Sequence, residues 1–171
     1  MRIVAGRWRG RRINAPEDDG VRPTGDRVRE AWLSIVNSAL PGARVLDLFA
    51  GSGALGFDAL SRGAAVVDFV ECAPASLATL RANADLLGAG SAAVIRRADA
   101  LQFVDTLAPH AYDVAFADPP YDLGIASAIG ARWLAVPFAD ILGIEHRDTE
   151  SLPGSADRRR YGGTAISFFR I

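Results

Sequence analysis

The chain has 171 residues, 50% of them hydrophobic and 23% charged, the balance of one globular domain with room for a sizeable core. It has no apolar run near the ~18 residues of a membrane span, and it carries charge where a signal peptide needs its apolar stretch. Its one cysteine, Cys72, excludes an internal disulfide and a cysteine-built metal site, so no metal and a cytoplasmic location are expected.

The net charge of −1 conceals an uneven distribution. Residues 1–12 hold five Arg and no acid, residues 30–155 hold seven Arg against fifteen acids, and the tail from Ala156 holds four Arg against Asp157. Basic ends around an acidic middle suit a polyanion held by the ends and a different ligand held in the middle.

Arg2 to Ala5 and Arg11 to Ile13 read as two short strands of a basic N-terminal β-hairpin, with Trp8 near its tip. A polar loop follows from Asn14 to Gly20. Arg22-Pro23-Thr24 then opens a helix with Thr24 as N-cap and Asp26 in the first turn. Val28, Ala31, Trp32, Ile35, Val36 and Ala39 give that helix one apolar face, and Pro41-Gly42 ends it.

From Arg44 the pattern becomes strand, glycine turn, helix. Val45 to Phe49, Ala65 to Val70, Ala92 to Ile95, Asp113 to Ala117 and Ile141 to Ile144 read as buried strands. Ala54 to Arg62, Ala75 to Leu87 and Ile125 to Val136 read as helices, the first two stopped by Gly63 and Gly88. Arg158 to Tyr161 and Thr164 to Phe169 flank Gly162-Gly163 and read as a closing antiparallel hairpin. The expected fold is α/β, a doubly wound, mainly parallel Rossmann-like sheet. Residues 1–23 are expected to form the arm and its loop, and residues 24–171 the main domain.

In such a sheet, ligands sit beyond the C-terminal strand ends. Those ends carry Asp47 with Gly51-Ser52-Gly53, then Glu71, Asp99 and Asp118. Gly51 to Gly56 matches GxGxxG with Glu71 about 20 residues on, which by itself suggests NAD and an oxidoreductase. Asp47, however, stands where it would repel a pyrophosphate. The sulfonium and ammonium of S-adenosylmethionine suit the acids better. Gly51 allows close approach, Glu71 can accept two hydrogen bonds from ribose hydroxyls, and Asp99 suits the adenine amine.

Asp118-Pro119-Pro120-Tyr121 ends the fourth of those strands. Two prolines stiffen the turn, leaving a carboxylate, free carbonyls and an aromatic ring together. That set suits a planar group with an exocyclic amine: oxygens accept its N–H bonds and Tyr121 stacks on its face.

These motifs resemble the class I methyltransferases, and more closely the bacterial family that methylates N2 of guanine 966 in 16S ribosomal RNA. The resemblance covers nearly the whole chain: Val4 to Arg11 at the arm, Arg22-Pro23-Thr24 through Glu30, Asp47 to Gly53, Asp118 to Tyr121, and Tyr161 to Thr164. The family usually has an acid where Gly163 stands, and the segment between Ile144 and Arg158 is short and lacks a clear helix. The resemblance implies transfer of a methyl group from S-adenosylmethionine, with S-adenosylhomocysteine as product. The acceptor it implies is guanine N2 in 16S rRNA, within the small subunit, and the enzyme a monomer. Adenine N6 in DNA or RNA is the alternative acceptor.

The expected catalytic set is Asp118, Pro119, Pro120 and Tyr121. The expected cofactor set is Asp47, Ala50, Gly51, Ser52, Gly53, Glu71, Asp99, Ala100 and Asp118. Arg7, Trp8, Arg9, Arg11, Arg12, Arg22, Thr24, Arg27 and Tyr121 are the expected substrate contacts, with Arg158 to Arg160 as further phosphate candidates. Trp8 either stacks on a nucleotide or packs the arm onto the domain. His110 and His146 read as structural or surface residues, and Cys72 as a small buried thiol.

Overall fold

The structure, a computed structural model, describes residues 1–15, 25–154 and 157–171. Five helices and seven strands are described: α1 Asp26–Val36, β1 Arg44–Leu48, α2 Ala54–Ser61, β2 Val66–Glu71, α3 Pro74–Leu87, β3 Ala93–Arg97, α4 Ala100–Asp105, β4 Tyr112–Ala117, α5 Ile125–Ala135, β5 Ala139–Arg147, β6 Asp157–Tyr161 and β7 Thr164–Arg170. The strands form one sheet in the order β3-β2-β1-β4-β5-β7-β6. β1 to β5 run parallel to one another, while β7 runs antiparallel to both β5 and β6. The order reverses between β1 and β4, which creates a crevice at their C-terminal ends. Leu48 pairs with Val70 on one side and Ala117 on the other, so Glu71 and Asp118 flank the end of β1.

Alternation along the strands divides the core into two layers. Val45, Val67, Phe69, Val114, Phe116, Ile166 and Phe168 face Trp32 and Leu33 of α1, Phe57 of α2 and Leu80 of α3. Leu46, Leu48, Val70, Ala115, Ala117, Leu142 and Ile144 face the other way, with Val104 of α4 and Ile129 and Trp133 of α5. Trp32 and Phe116 meet edge to face at 5.6 Å.

Three local details sharpen the expectations. The N-terminal segment has antiparallel pairing without regular strands: Arg2 bridges Arg12, Ile3 N donates to the Arg11 carbonyl at 2.9 Å and Ile13 N to the Met1 carbonyl at 3.0 Å. Other backbone donors of the segment turn to α2: Val4 N donates to Asp58 Oδ1 at 3.0 Å and Trp8 N to Ser61 Oγ at 2.9 Å. A Cβ on Gly6 would lie 1.9 Å from the Ser61 carbonyl oxygen, which shows how closely the arm is seated. Secondly, α1 begins at Asp26 with Gly25 in the N-cap position, while Thr24, the expected cap, lies outside the described residues, as does Arg22. Thirdly, β5 is nine residues long and extends through Glu145 and His146, both buried.

Arg29 of α1 and Asp58 of α2 form a buried ion pair at 3.1 Å, with relative side-chain exposures of 1% and 0%. Arg29 Nη2 also donates to the Arg2 carbonyl at 2.6 Å, which ties the arm to both helices. Burial pushes the Asp58 carboxyl up, and Arg29 opposes that shift.

Candidate active site

The turn after β1 is held in an uncommon backbone shape. Phe49 has φ +59°, a left-handed conformation that costs a non-glycine residue about 1–2 kcal/mol. Gly51 and Gly53 follow at φ +57° and +84°. A Cβ on Gly53 would lie 2.5 Å from Leu80 Cδ1, and one on Gly56 would lie 2.2 Å from Phe69 Cε1. Those two glycines let α2 seat against α3 and the sheet. Gly51 is different, since among the described residues no atom beyond its chain neighbours lies within 4 Å of where its Cβ would stand. Its backbone is open to a ligand.

Asp47 lies beneath this turn, buried, with Oδ2 accepting from Gly56 N at 3.0 Å. Burial pushes its carboxyl well above the ordinary carboxylate range. The Gly56 hydrogen bond opposes the shift, and the charges of Asp118 and Glu71 add to it. Asp47 therefore acts on the crevice through the turn that it anchors.

Glu71, at the end of β2, accepts from Gly51 N at 2.8 Å with Oε2, and from Cys72 N and Ala73 N at 3.0 Å with Oε1. Three of a carboxylate's roughly four acceptor positions are thus filled by backbone. Room remains for one ribose hydroxyl rather than the expected two, unless the Gly51 bond is released. Asp99 is exposed and caps α4, accepting from Gln102 N at 2.9 Å. Ala100 behind it is buried and Ala50 is half-buried.

S-adenosylmethionine, the ligand the resemblance implies, fits this set. An approachable glycine backbone adjoins Glu71, and the charges of Glu71 and Asp118, which also push Asp47 up, favour positive charge and oppose a pyrophosphate. The Ser52 side chain turns elsewhere: it is buried, and its hydroxyl donates to Met1 Sδ at 3.5 Å.

On the far side of the crevice, Asp118 is half-buried, Pro119 buried and Pro120 exposed. The Tyr121 hydroxyl donates to Glu145 Oε1 at 2.8 Å and lies 3.0 Å from Thr164 Oγ1. The Arg147 guanidinium sits 5.1 Å from the Tyr121 ring centroid and grips Asp122 with contacts of 2.8 and 3.0 Å.

The basic residues separate into two groups. Arg9 and Arg12 of the arm and Arg27 of α1 are exposed and have no side-chain partner among the described residues. Arg11 donates to the Leu86 carbonyl at 2.6 Å, and Arg7 stacks 4.2 Å from the Trp8 ring centroid. Trp8 is 7% exposed and belongs to the core, so its part is packing the arm rather than offering a face to a nucleotide. Arg158 and Arg160 both pair with Asp148, which follows β5, and Arg159 pairs with Asp157, so these three arginines already have acidic partners. Cys72 is exposed, against expectation, because it follows the last residue of β2 in the loop that wraps Glu71. His110 is exposed beside Asp140, while buried His146 meets Ser167 Oγ and the Arg147 carbonyl at 2.8 Å.

Over residues 1–169 the chain matches the family model described as conserved hypothetical protein 95. It is 41% identical over 126 residues to the ribosomal RNA small subunit methyltransferase D of Escherichia coli (strain K12), a match that takes in 73% of this chain. The chain spans about 62% of the length of that curated relative. A hypothetical protein of Thermus thermophilus superposes with a TM-score of 0.85 at 28% identity, over 100% of this chain and 99% of its own. The T. thermophilus 16S rRNA N2 G1207 methyltransferase, solved with AdoMet and guanosine, shares the fold at a TM-score of 0.70 and 20% identity, over 90% of this chain and 44% of its own. The architecture is that of the Rossmann-like class I methyltransferases, and the chain belongs to the conserved hypothetical protein 95 family.

Proposed function

We propose that this chain transfers a methyl group from S-adenosylmethionine to the exocyclic N2 of a guanine in 16S rRNA. The substrate form is the small ribosomal subunit, and the enzyme acts in the cytoplasm as a monomer. The observation that carries this reading is the facing of two half-sites across the β1–β4 crevice. The open Gly51 turn with Glu71 stands on one side and Asp118-Pro119-Pro120-Tyr121 on the other. The 41% identity to a ribosomal RNA small subunit methyltransferase supports the choice of acceptor.

When bound, S-adenosylmethionine supplies an electrophilic methyl group and leaves as S-adenosylhomocysteine. Gly51 and Glu71 hold that ligand, and the charges of Glu71 and Asp118 favour its cationic end. Asp118 and the Pro119 carbonyl accept the two N–H bonds of the guanine amine. That amine is a poor nucleophile because its lone pair is delocalised into the ring. Fixing its direction can account for up to ~7–11 kcal/mol of barrier reduction. The Asp118 carboxylate stabilises the positive charge that grows on nitrogen and takes the proton afterwards, directly or through water. Tyr121 packs against the base, which is unpaired or flipped to reach the crevice. Arg9, Arg12 and Arg27 meet phosphates.

Calorimetric titration with S-adenosylhomocysteine and with NADH tests the reading. Binding of the first and not the second is expected; the reverse result removes the methyltransferase assignment.

A further inference from the structure

Asn83 of α3 is fully buried, and its amide joins two segments remote in the chain. Nδ2 donates to the Ser52 carbonyl at 2.9 Å and to the Asn14 carbonyl at 3.0 Å, and Oδ1 accepts from Asn14 N at 2.8 Å. The orientation of the amide is determined by its partners, because a backbone N–H requires an acceptor and the two carbonyls require donors. Ser52 belongs to the glycine turn, and Asn14 lies at the end of the arm. The Ser52 hydroxyl reaches the arm directly, through Met1 Sδ. The arm's other anchors, Asp58 and Ser61, belong to the helix that begins right after the turn.

We propose that Asn83 is a positioning residue that makes the N-terminal arm and the glycine turn one mechanical unit, so that the seating of the arm sets the turn's affinity for the methyl donor. This rests on the methyltransferase reading above. The arm does not need to touch the donor. It braces the turn from behind, at Ser52, while Gly51 stays open in front. Without the Asn83 amide, the Ser52 carbonyl and both backbone groups of Asn14 lose their buried partner. The turn, which already holds Phe49 in a left-handed conformation, then loses a restraint on its shape.

The test is calorimetric titration of S-adenosylhomocysteine into the wild type, Asn83→Ala, Asn14→Pro and the double variant, well below each protein's Tm. Asn14→Pro removes the N–H that donates to Asn83 Oδ1 and acts from the arm without changing α3. Each single variant is expected to weaken binding, Asn83→Ala by roughly threefold to tenfold, the net effect of one hydrogen bond. The double variant is expected to be no weaker than Asn83→Ala, since both changes break the same link. An unchanged Kd for Asn83→Ala alongside a lower Tm would mean the amide only supports the fold, and would overturn the proposal. Fully additive losses in the double variant would overturn it too. If Asn83→Ala does not fold, Asn14→Pro decides alone: weaker binding supports the link and an unchanged Kd removes it. A wild type that binds no S-adenosylhomocysteine removes the methyltransferase reading itself, a result plainly different from a difference among variants.

Discussion

The hydroxyl of Tyr121 donates to Oε1 of Glu145 across 2.8 Å, linking the loop after β4 to the middle of the sheet. With Thr164 at 3.0 Å and the Arg147 guanidinium on the ring, the side chain is restrained at its edge and over one face. Glu145, Arg147 and Thr164 can act together because β5 and β7 pair with Arg147 opposite Thr164. Burial, assisted by the Glu145 carboxylate and opposed by Thr164, pushes the Tyr121 phenol up to about 12. Tyr121 is therefore a neutral donor at working pH and not a base.

A preset ring makes separable demands on its two parts. Tyr121→Phe keeps the ring and loses the hydroxyl's contacts with Glu145 and Thr164, each worth about 0.5–1.5 kcal/mol to its positioning, so KM for RNA should rise only a few-fold. Tyr121→Ala also loses base stacking, worth ~1–3 kcal/mol, and should be clearly worse. Steady-state kinetics on small subunits provide the comparison. Equal effects of the two variants would remove stacking from the account.

Asp118→Ala should abolish methyl transfer while RNA affinity stays nearly intact, because Asp118 orients one amine rather than holding the polynucleotide. Filter binding and single-turnover transfer measure the two quantities separately. A parallel loss of both would show that Asp118 has been misassigned.

Asp47 gives a pH-dependent stability with a definite sign. Its folded-state value lies above the ordinary 3.8, so the folded protein retains a proton that the unfolded chain releases. That contribution is greatest below the unfolded value and is lost as pH rises towards the folded one. Asp47→Asn keeps an acceptor for Gly56 N without the buried charge. It should raise Tm by a few degrees at neutral pH, less at acid pH, and weaken S-adenosylhomocysteine binding. Melting curves from pH 3 to 8 check this; a Tm difference independent of pH would contradict it.

The unpartnered arm arginines should account for the salt dependence of RNA binding. Replacing Arg9 and Arg12 by Ala is expected to flatten the log K against log salt slope by ~0.7 per lost single-strand phosphate contact. Replacing Arg158 and Arg160, already paired with Asp148, should change it less. The opposite ranking would relocate the interface to the closing hairpin.

The parallel sheet was legible in the sequence because its strands are continuous apolar runs punctuated by glycine turns. The contiguous motifs at the strand ends placed Gly51, Glu71 and Asp118 around one crevice. Features held by partners distant in the chain were not legible. Glu145 and His146 hide polar atoms inside the sheet by bonding to Tyr121 and Ser167, so the apolar run that marks β5 stops at Ile144 while the strand continues. α4, six residues long, is too short to show a helical period. The two sides of the arm pair across Arg2 and Arg12, but its seating on α2 through Asp58 and Ser61 left no mark in the sequence. A lone acid in an otherwise apolar helix, Asp58, was the available signal for its buried partner Arg29. Asn83 had no such signal.

The most direct test is transfer of a tritiated methyl group to small subunits that lack the modification, followed by nucleoside analysis of the 16S rRNA. The account predicts label in N2-methylguanosine, lost with Asp118→Ala. Label in N6-methyladenosine, or no transfer by a protein that binds S-adenosylhomocysteine and RNA, would contradict it.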